Sequence, residues 1–237
     1  MRNALVTGVS RRAGIGFAIA RRLEEAGAQV FTQGWTPHDA AQPWGADATV
    51  TPSLEADFAD PTAPARVVAA ARDALGALDV LVVNHARSGH GRLDELTAED
   101  LDAFLHENVR ASLLLVKEFA AQFECAGGRV VLLTSGAHLG PMAGEVAYAV
   151  SKGALAIATR TLAEELADRN ITVNCINPGP TETGWGLAEL EPAPRMPFGR
   201  WGEPDDAARL VAWLCSEDGR WITGQVVDSE GGFRRSP

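Results

Sequence analysis

The chain has 237 residues, 46% of them hydrophobic, and its 31 acidic and 21 basic side chains give a formal charge of −10. That length allows one or two domains with a sizeable core, and the acidic balance excludes the basic footprint that a nucleic-acid binder sets against phosphates. No apolar run reaches the ~18 residues of a membrane span, no h-region follows the opening MRNALVTG, and Cys125, Cys175 and Cys215 form no CxxC, which together predict a reduced, cytoplasmic protein.

Short β-rich runs alternate with longer amphipathic ones. Ala4–Thr7 reads as the first strand, followed by a glycine turn and a helix through about Ala26. Gln29–Thr32 reads as the second strand. Trp35–Ala48, with two Trp and two Pro, predicts a long loop where a helix would be ordinary. Thr49–Glu55 predicts strand three, Ala63–Leu75 a helix, Leu78–Val83 strand four and Ala98–Phe123 a long helix. Arg129–Thr134 reads as strand five, Gly144–Asp168 as a helix and Thr172–Ile176 as strand six. Thr181–Trp201, rich in Pro and Gly, predicts a binding loop or lid. Pro204–Cys215 reads as a helix and Gln225–Asp228 as the last strand. Such alternation implies βαβ units and a parallel sheet covered on both faces, an α/β class. No linker or repeat divides the chain, so residues 1–237 read as one domain with a substrate loop at about 181–201.

Tyr148 is the only tyrosine, and Lys152 follows four residues later. Positions i and i+4 share a helix face, so phenol and ammonium point into one site. The positive charge predicts a phenol pKa below its usual ~10, which suits proton exchange near neutrality. The stretch Thr7-Gly8-Val9-Ser10-Arg11-Arg12-Ala13-Gly14-Ile15-Gly16 lies between the first strand and its helix. Glycines there let the backbone approach a pyrophosphate held at the helix N-terminus. The end of strand two, Phe31–Trp35, lacks the acid that receives a ribose 2′-hydroxyl in NAD-binding folds. Arg11 and Arg12 supply positive charge instead, which favours NADP(H) over NAD(H). The five histidines form no ligand-spaced cluster, so no metal site is expected.

Taken together, these residues resemble the short-chain dehydrogenase/reductase family over essentially the whole chain. The resemblance is carried by the glycine loop, Asp57, Asn84-His85-Ala86, Asn108, Ser135, Tyr148-Ala149-Val150-Ser151-Lys152 and Asn177-Pro178-Gly179 with Thr183. Within the family the chain is most similar to 3-oxoacyl-[acyl-carrier-protein] reductase-like members. The resemblance implies a single doubly wound Rossmann domain with a seven-stranded, mostly parallel sheet, and a homotetramer or homodimer. It implies that Tyr148 exchanges the proton, that Lys152 lowers its pKa and bonds the nicotinamide ribose, that Ser135 holds the substrate oxygen, and that Asn108 anchors a water leading from Lys152 to solvent. Cofactor contacts are implied for Gly8, Ser10, Arg11, Arg12, Gly14, Ile15, Gly16, Asp57, Phe58, Asn84, Ala86, Tyr148, Lys152, Pro178, Gly179, Thr181 and Thr183.

Three departures stand out. Five residues separate Gly8 from Gly14, which lengthens the loop and lets Arg11 or Arg12 swing off the ribose. His85 and Arg87 replace smaller groups after strand four. The helix between strands two and three is missing from the pattern, with Trp35 and Trp44 in its place. For the substrate, His85, Arg87, His138, Glu145 and Trp185 are the candidate lining residues, and Arg87 and Arg110 could meet an acidic carrier. The favoured reading is reduction of a 3-oxoacyl thioester or similar β-keto compound. The alternatives are a dehydrogenase of a sugar-like or cyclic alcohol and, in another class, a non-catalytic dinucleotide-sensing or scaffold protein.

Overall fold

In the computed structural model, which describes residues 2–192 and 195–235, seven strands form one sheet. They are β1 Asn3–Thr7, β2 Gln29–Gly34, β3 Leu54–Glu55, β4 Val80–Val83, β5 Gly128–Leu133, β6 Ile171–Asn177 and β7 Val226–Asp228. Their order is β3-β2-β1-β4-β5-β6-β7, and every neighbouring pair is parallel. Leu5 of β1 sits in register with Phe31 on one side and Leu81 on the other. The helices are α1 Ile15–Glu25, α2 Thr36–Ala40, α3 Ala63–Leu75, α4 Ala98–Phe104, α5 Ala111–Gln122, α6 Val146–Leu166 and α7 Pro204–Cys215.

Central strands covered on both faces need apolar residues at every position rather than alternation. Val80–Val83 and Gly128–Leu133 are buried throughout. One face packs under α3, α5 and α6 around Leu81, Leu115, Phe119 and Ala163. The other packs under α1 and α7 around Ile19, Leu23, Val211 and Leu214. Phe119 is fully buried, and truncating it to alanine would cost about 3–5 kcal/mol.

The strand order reverses between β1 and β4, and such switch points open a crevice beyond the strands' carboxyl ends. Gly8 enters it with φ 72°, and a side chain there would strike Asn84 and His85. A side chain at Gly16 would strike the Gly8 carbonyl, which explains both glycines by contact. Asn84 Nδ2 donates to the carbonyls of Thr7 and Gly8, each at 3.1 Å, and so ties β1 to β4 at this opening.

Most bounds shift by one or two residues, and three stretches depart further from the sequence expectation. The Trp35–Ala48 stretch is not all loop: Pro37 stands in the first turn of the short helix α2. Strand three shrinks to Leu54–Glu55, because Asp47 turns the chain by accepting from Thr49 and Pro52 offers no N–H to a ladder. The expected helix Ala98–Phe123 is divided by a π-helical segment, Leu105–Arg110, between α4 and α5.

Candidate active site

A cavity of about 700 Å³ runs along the carboxyl edge of the sheet, from the glycine loop to α6. The turn after β5 brings in Ser135, and α6 presents Tyr148 and Lys152 one turn apart. Among the described residues Ser135 Oγ has only Met142 Sδ as a partner, at 3.6 Å, a weak acceptor that leaves the hydroxyl available to a substrate. Lys152 is 2% exposed and its Nζ donates to the Leu133 carbonyl at 2.9 Å. Burial pushes its pKa down to about 8.

The Tyr148 phenol is pushed up to about 12, first by burial and then by the charge of Glu145. This reverses the expectation of a lowered value. The ammonium lies 6.0 Å from the tyrosine ring centroid, and it is turned toward a backbone carbonyl. Phe104 packs edge-on against Tyr148, with 6.4 Å between centroids. At neutral pH this phenol keeps its proton.

Asn108 is fully buried in the π segment and does not line the cavity. Its Oδ1 accepts from the Arg87 N–H at 2.7 Å, and its Nδ2 donates to the Arg87 carbonyl at 3.0 Å and to Ser151 Oγ at 2.9 Å. Ser151 in turn donates to the Tyr148 carbonyl at 2.8 Å. The amide therefore staples the loop after β4 to the first turns of α6, and both of its N–H donors are taken.

His85 lines the cavity but has no free ring nitrogen. Its Nε2 lies 3.0 Å from the Glu107 carbonyl, which can only accept, so that nitrogen carries the proton. Its Nδ1 then accepts from Thr7 Oγ1 at 2.9 Å. Burial, with the nearby Lys152 charge, holds its pKa down at about 3 and keeps the ring neutral. Phe58 packs on its face at 4.1 Å. His85 is thus a strut between β1 and the π segment: it borders the cavity with both ring nitrogens already engaged.

The two arginines of the glycine loop part company. Arg12 is exposed and lines a separate small groove between α1 and α7, so it does not meet the main cavity. Arg11 does line the cavity, but its Nε is 3.2 Å from Asp39 Oδ1 and its guanidinium lies over Trp44 at 4.2 Å. Asp39 is 3% exposed and also accepts from Ser10 Oγ and from Trp44 Nε1. This acid, one turn into α2, went unnoticed in the sequence because it stands five residues past the end of β2.

Ile15, Asp57, Phe58, Ala86, Pro178, Gly179, Thr181 and Thr183 all line the cavity. Gly14 caps α1 and Gly16 packs behind the loop. Among the substrate candidates, Glu145 and Trp185 line the cavity. Arg87 does too, paired with Glu107 at 2.8 Å. His138 does not: it lies 3.0 Å from Asp228 outside the lining. Arg110 donates to the Phe58 and Ala59 carbonyls and meets no cavity. The sequence reading missed Arg195, Glu230, Phe233 and Arg235, which close the far end. Arg235 pairs with Glu230 across Gly136 and Gly140, where any side chain would collide with it.

The residues present fit a dinucleotide. Helix α1 opens at Gly14 with no side-chain cap and no acid in its first turn, which leaves its N–H groups for an anion. Among the described residues no His, Cys, Asp and Glu group could hold a metal, and no helix is long and apolar enough to cross a membrane.

Comparison with known proteins agrees with this geometry. A family model described as enoyl-(acyl carrier protein) reductase matches residues 8–234. The chain belongs to the short-chain dehydrogenase/reductase family. It is 40% identical to the uncharacterized oxidoreductase YjdA of Bacillus subtilis, over 98% of this chain and 96% of that one. It is 38% identical to human dehydrogenase/reductase SDR family member 4, over 92% and 83%. A short-chain dehydrogenase of Burkholderia cenocepacia, solved in complex with NADP, superposes with a TM-score of 0.84 at 39% identity over 98% and 97%.

Proposed function

We propose that this oxidoreductase reduces a carbonyl to an alcohol with Tyr148 as general acid, acting on a 3-oxoacyl thioester or similar β-keto compound. The observation that carries the reading is that one cavity is lined by both a phenol held protonated and a serine hydroxyl whose partner is the weak acceptor Met142. A reduced nicotinamide in the groove would supply the hydride. Gly8, Ser10, Ile15, Asp57, Asn84, Lys152, Gly179 and Thr183 are the residues we assign to hold it. Ser135 donates a hydrogen bond to the substrate oxygen and orients it. Tyr148 donates its proton as negative charge builds there. Lys152 stabilises the phenolate left behind while it keeps its own proton, and Asn108 holds the loop and helix that frame this pair.

NADP(H) is the cofactor we favour over NAD(H), on two supports: the Burkholderia relative carries NADP, and β2 ends without an acid. Neither Arg11 nor Arg12 carries that choice. Assembly as a homodimer or homotetramer is supported by exposed Leu113, Val150 and Ile157 on α5 and α6, and a cytoplasmic setting by three free cysteines. A second reading, oxidation of a sugar-like or cyclic alcohol, draws on Glu145, whose carboxylate in the lining could accept from a substrate hydroxyl.

The test is oxidation of NADPH and NADH, side by side, with acetoacetyl-coenzyme A. Turnover lost in Tyr148→Phe supports the proposal. Silence with both nucleotides, while a panel of cyclic alcohols reduces NADP or NAD, transfers the assignment to the second reading.

A further inference from the structure

Three segments far apart in sequence meet over the groove at Arg11. Its guanidinium is held from below by Asp39 and stacked on Trp44. Its Nη1 donates to the Thr183 carbonyl, in the loop that follows β6. Two residues on, Trp185 packs edge-on against Trp44, with 4.6 Å between ring centroids. Gly184 between them has φ 98°, a conformation that residues with a side chain rarely adopt, and a Cβ there would come within 3.2 Å of Arg11 Nη1. The planar guanidinium has donors for the carboxylate and the carbonyl at once, and a face for the indole, which a lysine could not supply together.

We propose that Arg11 is a positioning residue for the substrate loop: braced by Asp39 and Trp44, it pins Thr183–Trp185 across the groove, and it does not select between the two nucleotides. The inference rests on the groove being the dinucleotide site. Residues after β6 border both nucleotide and substrate in that reading, so a loop fixed from the glycine loop ties one end of the site to the other. Asp39 neutralises Arg11, which removes the free charge that recognition of a 2′-phosphate requires.

The experiment compares wild type with Arg11→Met in two assays. The first is dissociation of NADPH and of NADH, followed by cofactor fluorescence. The expected result is a weakening of about tenfold for both, with their ratio held within about threefold. A loss confined to NADPH overturns the inference and makes Arg11 a phosphate ligand. The second assay is limited trypsin digestion without nucleotide, read at the exposed Arg195 and Arg200 of the loop. Faster nicking in Arg11→Met is expected, and an unchanged rate overturns the pin. Should Arg11→Met fail to fold, Trp185→Ala, which alters a partly exposed side chain, must show the same faster nicking. If wild type binds neither nucleotide, the dinucleotide reading falls, and the trypsin assay still decides whether the pin exists.

Discussion

The two ends of the cavity are held by different kinds of bond. At the catalytic end, side chains are tied mainly to main-chain groups: Lys152 to Leu133, Asn108 to Arg87, and His85 to Glu107. At the nucleotide end, side chains are tied mostly to one another: Arg11 and Ser10 to Asp39 of the short helix α2, and Trp44 to Asp39 and Trp185. The first arrangement fixes each group independently against a rigid frame. The second makes each group depend on its neighbours. Proton transfer needs heavy atoms within hydrogen-bond reach, whereas loops that admit a ligand must be able to part.

The contrast predicts that damage stays local at one end and spreads at the other. Tyr148→Phe should give the largest effect, a loss of about 10³-fold in kcat with cofactor affinity changed by less than about threefold. Stopped-flow turnover and nucleotide titration check this, and a variant that retains a tenth of wild-type kcat would remove Tyr148 from its role. Asn108→Ala should follow. It leaves the partly buried Arg87 N–H and carbonyl without their partner, which costs about 1–3 kcal/mol of stability in urea unfolding and lowers turnover with it.

Lys152 gives a pH test of the same end. Its folded pKa, near 8, lies below the ordinary 10.5, so the folded protein gives up this proton as pH rises past about 8. Carbonyl reduction should therefore be level through neutrality and decline above that point, because neutral lysine does not stabilise the phenolate. A profile flat to pH 10 would show that the ammonium is not needed. The smallest effect belongs to His85. Its folded pKa is about 3 against 6.5 when unfolded, so between those values the unfolded chain binds more protons and stability falls as pH falls. His85→Asn should flatten that slope by at most about 1.4 kcal/mol per pH unit, read from urea midpoints at pH 7 and 5. Equal slopes in both proteins would mean that His85 titrates normally.

Much of this was legible beforehand where local pattern and final structure coincide. The helices Ala63–Leu75 and Pro204–Cys215 match their expected bounds, since amphipathic spacing and an early proline mark both. Tyr148, Lys152 and Ser135 meet in the cavity because four residues along a helix and the end of a strand fix where they point. What escaped was settled by tertiary contact. Asp39 hid inside a segment whose two prolines and two tryptophans read as loop. Arg235 reaches the site by folding back across Gly136, which nothing in its neighbours announces. His85 could be read as a rim residue only because its two partners, Thr7 and Glu107, lie far off in the chain. The raised phenol pKa likewise follows from depth, to which the i, i+4 spacing is blind.

Leu105–Arg110 also sets a rule about chain length. Between α4 and α5 the rod carries on without a break while its hydrogen bonds skip one residue further than in an α-helix. Deleting a single residue there would convert the wide turn to an ordinary one and leave α4 and α5 close to their present phase, whereas a deletion inside α5 would turn everything beyond it by about 100° about the axis. Losing the wide turn would move Asn108 off Arg87 and Ser151, while losing a residue early in α5 would carry Phe119 out of the core. In a set of single-residue deletions across α4 and α5, those at 105–110 should abolish activity and keep the fold, and those at 111–118 should lose the fold as well.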